Sequence, residues 1–261
     1  MAQQQANSSP FNADFRLGGL YDSRVGATSS EDLLSTQEES DTAIAATLDA
    51  GWQAPLEGDI GLRLDYSGYA DFYKDKGRKN LDQYDVIDQS LSIEPQYKDG
   101  PFVWSLPLIY NFVLEDDKND YDRYIVSPTI TYMIPDTTQA VAVNGVAARI
   151  NDRDDIKDLD EDGKTFGGGC AYLYFFENKS QVRLSLDYQH TEYDERVATY
   201  QASLSNDKRT DRALTAGLDV VFQLTSHVGL YTNYAFIHSL SNVDRYEYNR
   251  HVVEGGVALR F

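Results

Sequence analysis

Apolar and polar residues alternate with a period of two through most of this chain, and the alternation stops and restarts about twelve times. The first stretch, about 11–24, sets Phe11, Ala13, Phe15, Leu17, Gly19 and Tyr21 against Asn12, Asp14, Arg16 and Asp22. The clearest, from Ile60 to Phe72, sets Leu62, Leu64, Tyr66 and Ala70 against Arg63, Asp65, Ser67 and Asp71. Successive strand side chains point to opposite faces, so each stretch reads as a strand with one apolar and one polar face. Comparable strands are predicted over about 42–54, 86–97, 102–114 and 122–134, then through Val182–Tyr188, Leu214–Phe222 and Val228–Phe236. Tyr248 to Phe261 closes the set. The stretches at about 139–150 and 165–176 are apolar on both faces, so alternation does not orient them. Pro95, Pro107 and Pro128 fall inside predicted strands, where each removes a ladder donor, and bulges or weakened pairing are expected there.

The connections alternate as regularly as the strands. Pro55–Gly58, Lys98–Pro101, Pro135–Thr138, Glu177–Ser180 and Leu224–His227 are short, and most carry tight-turn residues. Between them lie longer polar connections at 25–41, 73–85, 115–121, 151–164 and 195–210. Short turns at one end and long loops at the other are the asymmetry of a transmembrane barrel. The fold class is therefore all-β: an antiparallel up-and-down transmembrane β-barrel of about 12 strands, over residues 11–261. Trp52, Tyr97, Trp104, Tyr132 and Tyr188 fall near predicted strand ends, where interfacial aromatic girdles belong. A soluble lipocalin-like barrel or sandwich, with the apolar face inside, would explain neither the loop alternation nor these aromatics.

Composition agrees with this reading. The chain holds 19 Tyr and 11 Phe against 2 Met, and its mean hydropathy is negative. No run approaches the roughly 18 apolar residues of a membrane helix, a test that strands need not pass because only every second residue faces lipid. A net charge of -19 argues against a nucleic-acid partner. The single Cys170 forms no internal disulfide and reads as a small strand residue. Residues 1–10 show neither the basic nor the apolar region of a signal peptide, so they are expected to be a mobile polar leader of a mature sequence given an added initiator Met.

The terminal strand places Val253, Gly255, Val257, Leu259 and Phe261 on one face, ending on an aromatic residue. This resembles the C-terminal strand of bacterial outer-membrane β-barrels, although the family often has an aromatic at the position of Leu259. The resemblance implies residence in the outer membrane in contact with its lipid, both termini periplasmic, and a terminal signal read by the barrel assembly machinery. Tyr21–Val25 and Tyr248–Arg250 also look like the barrels of surface lipoprotein assembly modifiers, which carry a preceding repeat domain that this sequence lacks.

If the apolar faces meet lipid, the polar faces line a lumen. The expected pore-lining residues are Asp14, Arg16, Asp49, Arg63, Asp65, Asp71, Glu94, Arg183, Asp187, Asp219, Glu254 and Arg260. Carboxylates outnumber guanidinium groups among them, and such an excess favours cations in a wet pore. The competing expectation is that these charges pair and fill the barrel. Gly51, Gly217, Gly229 and Gly256 on the inward faces reduce bulk and favour an opening. Asp158, Asp160, Asp162 and Gly163 resemble the start of a calcium loop, but Gly169 stands where that pattern needs a bidentate Glu, so an EF-hand is not expected, and a looser external calcium site stands as an alternative to a solvated acidic loop.

Four histidines bear on an enzymatic reading. Outer-membrane phospholipases pair His with a Ser two residues away on one face, whereas two residues after His238 stands Leu240. His190 with Glu192 and Asp194 faintly resembles the acidic and His pairs of omptin-type proteases. Neither pattern is complete, and no enzyme is expected. The leading functional expectation is a porin-like channel for small polar solutes with modest cation preference. The alternatives are a non-conducting structural or assembly barrel that offers acidic loops to a protein or polysaccharide partner, and a surface hydrolase.

Overall fold

The computed structural model describes residues 10–25, 39–55, 58–73, 86–115, 118–153, 162–196, 208–242 and 247–261. The polar leader expected at 1–10 and most of the long connections lie outside these residues, as do Asp158 and Asp160. The strands, in chain order, are β1 (Phe11–Val25), β2 (Glu39–Pro55), β3 (Ile60–Tyr73), β4 (Val86–Asp99), β5 (Phe102–Ser105), β6 (Leu108–Glu115) and β7 (Lys118–Val126). They continue as β8 (Thr129–Met133), β9 (Gln139–Asp152), β10 (Gly163–Phe175), β11 (Gln181–Arg196), β12 (Lys208–Gln223), β13 (Val228–Ser241) and β14 (Tyr248–Arg260). All neighbouring pairs are antiparallel, and β14 pairs with β1 to close the sheet on itself.

Fourteen segments make twelve staves because proline interrupts two of them. Between β5 and β6 lies Leu106-Pro107, and between β7 and β8 lies Ser127-Pro128. The register on either side is continuous: Gln96 pairs with Ser105 and Ile93 with Leu108, so no residue is inserted. Each proline keeps the half of the ladder that its carbonyl can make. Leu106 N–H donates to Pro95 O at 3.1 Å, Ser127 N–H to Pro107 O at 3.0 Å, and Gly145 N–H to Pro128 O at 2.9 Å. The missing donors therefore weaken pairing along one line across adjacent staves without producing the expected bulges.

Short turns join the staves at one end, where residues at positive φ close them: Gly58, Gly100, Asp136 and Lys179. Both ends of the sheet, Phe11 and Arg260, lie at this short-turn end. Outward positions carry large exposed apolar side chains, including Leu48, Leu64, Leu91, Val143, Leu184, Leu230 and Val257. Outward aromatics gather toward the two ends, with Phe11, Tyr97, Phe102, Trp104 and Phe222 near the short turns and Tyr21, Phe72, Phe166 and Tyr188 near the other. This inside-out distribution suits a wall bathed in lipid, where exposing Leu and Phe to hydrocarbon costs nothing. The two stretches that alternation left unoriented are settled by bulk: β9 turns Val141 and Val143 outward, β10 turns Phe166 outward, and their inward positions are mainly small.

The closing seam is fastened from inside. Tyr231 on β13 is only 4% exposed. A Cβ on Gly18 would lie 2.6 Å from its hydroxyl, and one on Gly256 would overlap the backbone of Leu17 and Gly18. The ring thus lies over a depression that two glycines leave in β1 and β14, and its hydroxyl donates to Glu254 Oε1 at 2.5 Å. Arg16 faces the same ring at 5.7 Å from its centroid. Farther along the seam, Arg250 Nε donates to both oxygens of Asp22 at 3.0 and 2.9 Å, and that carboxylate is 1% exposed. Leu20, Ala43 and Ala45 pack beside it with Tyr69 and Val252.

Two outcomes follow for stability. Gly256→Val places methyl groups against the β1 backbone and costs about 1–3 kcal/mol, read as a lower midpoint for the shift from compact to unfolded mobility on heating in detergent. Arg250→Met removes the guanidinium from the buried Asp22 carboxylate and costs roughly 3 kcal/mol; the double change Asp22→Leu with Arg250→Met recovers most of that loss in the same assay.

Candidate functional site

The inner face of the barrel is the polar one, and the alternation of each stave places its charged groups there. Asp14 is held by Arg16 Nε at 3.0 Å and by Arg260 Nε at 3.5 Å. Arg63 Nε reaches Asp65 Oδ1 at 2.8 Å, and Arg183 Nη1 reaches Asp219 Oδ2 at 3.6 Å across β11 and β12. Asp219 also receives the Asn233 amide at 3.1 Å when that amide turns its nitrogen inward. Each of these four guanidinium groups is thus matched by a carboxylate.

Other inward carboxylates are held by neutral donors. Ser67 Oγ donates to Asp49 Oδ1 at 2.6 Å, and Gln96 Nε2 donates to Glu94 Oε1 at 3.0 Å. Glu254 takes the Tyr231 hydroxyl, as described above. Asp71 accepts from the Val86 backbone N–H at 3.1 Å and from Tyr69 Oη at 3.3 Å. Asp187 lies against Gly169, where a Cβ would overlap its Oδ1.

At three of the inward glycines the space beside the backbone is taken by neighbours. Asn12 and Asp65 lie over Gly51, Ser185 Oγ lies over Gly217, and a Cβ on Gly256 would fall against the β1 backbone. Small residues here admit close packing across strands.

Several inward charges lie beyond the expected twelve. Asp22, on the polar face of the first predicted strand, forms the seam pair with Arg250. Asn111 donates to Asp88 and accepts from Arg123 Nε at 2.8 Å, making a relay across β4, β6 and β7. Arg209 reaches Asp211 Oδ2 at 2.5 Å and stacks 4.2 Å from the Tyr193 ring. These groups sit toward the long-connection ends of their staves; β12 begins at Lys208, ahead of the predicted start. Parity with Glu254 and Arg260 was the available signal for Arg250.

Outward charge among the described residues lies mainly toward the same end, beyond the apolar band. Asp122, 1% exposed, accepts from Arg153 Nε at 2.7 Å and from Tyr110 Oη at 3.2 Å. The hydrogen bond and charge of Asp122 raise the Arg153 guanidinium pKa above its ordinary value. Arg149 Nη1 reaches Asp194 Oδ2 at 2.5 Å, and its Nη2 lies 3.5 Å from Asp162. Asp162, the described member of the expected calcium set, also accepts from the Asp152 N–H at 2.8 Å. The histidines are engaged locally: His190 with Glu192 at 3.2 Å, His238 with Asn249 at 2.8 Å, His251 with Tyr234 at 2.9 Å, and His227 with the Arg260 carbonyl at 3.0 Å. Ser239 points to the face opposite His238.

The charged interior is one-sided. All twelve expected pore-lining residues lie on β1–β4 and β11–β14. Across β5–β10 the charged residues at inward positions among the described residues are Glu115, Lys118, Arg123 and Asp152, all near the long-connection end. The remainder of that wall is built from residues such as Val103, Ser105, Ile109, Thr129, Ala142, Val146 and Ala171.

No family model matches the sequence, and no curated protein matches it. Solved structures do resemble it in fold. An outer membrane channel from Pseudomonas putida F1 superposes with a TM-score of 0.56 at 9% identity, covering 100% of both chains. The NanC porin superposes with a TM-score of 0.51 at 10% identity, covering 94% of this chain and 98% of that one. Each superposition covers nearly the whole of both chains, and the likeness shows that this chain has the fold of bacterial outer-membrane β-barrels.

Proposed function

We propose that this protein is a porin-like channel of the bacterial outer membrane that passes small polar solutes with a modest preference for cations. The observation that carries the sign is the unequal pairing inside the barrel. Arg16, Arg63, Arg183 and Arg260 each face a carboxylate, whereas Asp49 and Glu94 are hydrogen-bonded by neutral Ser67 and Gln96. Negative charge is what remains for a passing ion, and carboxylates lining a wet lumen favour cations. The whole-length likeness in fold to an outer membrane channel and to a porin supports conduction.

In this reading the short-turn end, with both termini, faces the periplasm, and the long connections face outward. The outward Leu, Val and Phe side chains contact lipid, and the terminal strand ending at Phe261 serves the assembly machinery as its recognition signal. A second reading, a non-conducting barrel, draws on the inward packing of Leu20, Ala43 and Ala45 with Tyr69 and Val252, which narrows the lumen at that level.

Planar-bilayer recording separates the two. Purified protein is expected to give discrete conductance steps, and a reversal potential in a KCl gradient on the potassium side. Asp49→Asn combined with Glu94→Gln is expected to move the cation-to-anion permeability ratio toward unity. A silent barrel would establish the second reading, and chloride selectivity would overturn the assigned sign.

A further inference from the structure

We infer that the solutes this lumen selects are small amphiphiles, with a cationic head and an aromatic or short aliphatic body. The inference rests on the channel reading and deepens it. Its basis is the division of the inner wall into a charged arc, β11–β14 with β1–β4, and a neutral arc, β5–β10.

A fully hydrated inorganic ion gains only from the charged arc. Away from its charged long-connection end the neutral arc offers no charge, because its side chains there are mainly aliphatic, small or hydroxylic. An apolar body held against it leaves water, which is favourable in proportion to the area covered. The neutral arc is contiguous where such a body would lie. Ile109 on β6 pairs with Ile125 on β7, and Ile125 pairs with Ala148 on β9. Val146 then pairs with Gly167 on β10, which adds no side chain to the surface. All three branched side chains are partly exposed, so this patch is accessible from the lumen.

The head-group sign follows from the adjoining staves of the charged arc, where β4 pairs directly with β5 and β6. The guanidinium groups of that arc are held by Asp14, Asp65 and Asp219, whereas Asp49 and Glu94 accept only neutral donors in the contacts described. An ammonium group can replace water at those carboxylates while the body remains on the neutral arc. A carboxylate head would meet the same groups as repulsion.

The test uses the intact protein in planar bilayers in KCl, with benzylammonium, methylammonium, benzyl alcohol and benzoate added in turn. Benzylammonium is expected to interrupt the current at concentrations about tenfold below the other three, the step expected when roughly half an aromatic ring leaves water. Ile109→Ser with Ile125→Ser is expected to bring benzylammonium toward methylammonium. Asp49→Asn with Glu94→Gln is expected to bring it toward benzyl alcohol. Equal block by benzylammonium and methylammonium in a conducting barrel overturns the inference and leaves the channel standing. Stronger block by benzoate overturns the head-group sign, and absence of any KCl current overturns the channel reading and this inference with it.

Discussion

In hydrocarbon a backbone N–H or C=O without a partner costs several kcal/mol, so a sheet in a bilayer must have no edge. Everything else in this molecule answers to that requirement. The pairing of β1 with β14, from Asp14 opposite Arg260 to Asp22 opposite Val252, removes the two edges that eleven hairpin and loop connections would otherwise leave. Because the first and last staves meet only after the chain has gone round, the seam needs its own fastening. Tyr231 over two glycines, and Asp22 within the grip of Arg250, supply it from the side that lipid does not reach.

Closure also decides where polarity can go. Once the outward positions are given to Leu, Val, Ile and aromatics, every charge within the apolar band has to be inward, and inward charges must be hydrated or matched. Most guanidinium groups are matched by carboxylates on the same or the adjacent stave. The carboxylates that remain with neutral donors define the sign of the interior. Beyond the apolar band the rule relaxes, and charges turn outward with their partners, Arg153 with Asp122 and Arg149 with Asp162 and Asp194.

The stave pattern was legible because a period of two is imposed residue by residue, and lipid enforces it on one face at a time. Ile60–Phe72 needs no partner to be read. Two staves were harder: β9 and β10 are apolar on both faces, since alanine and glycine inside differ from valine and phenylalanine outside in bulk more than in polarity. The prolines cost their donors, and of the two expected outcomes, bulge or weakened pairing, the ladder takes the second, because the carbonyl side of each pair still holds the register. What the sequence could not show is contact between staves far apart in the chain. Nothing near Gly18 or Gly256 in the sequence says that Tyr231 lies across them, so the missing side chain of Gly256 reads as open space. Arg209 and Asp211 were missed for a simpler reason: β12 starts before its apolar alternation does.

Pro95, Pro107 and Pro128 stand at neighbouring positions on three successive staves, and the line they form ends against Gly145. A wall with every rung present resists bending evenly. Here the resistance is lowest along a single diagonal, where each rung is half made and the last residue has no side chain to stiffen it. The pressure of the surrounding bilayer is shared by the whole cylinder, but its response is not. Any departure from a round cross-section starts at that diagonal, and the barrel therefore has a preferred direction of deformation set by three rings.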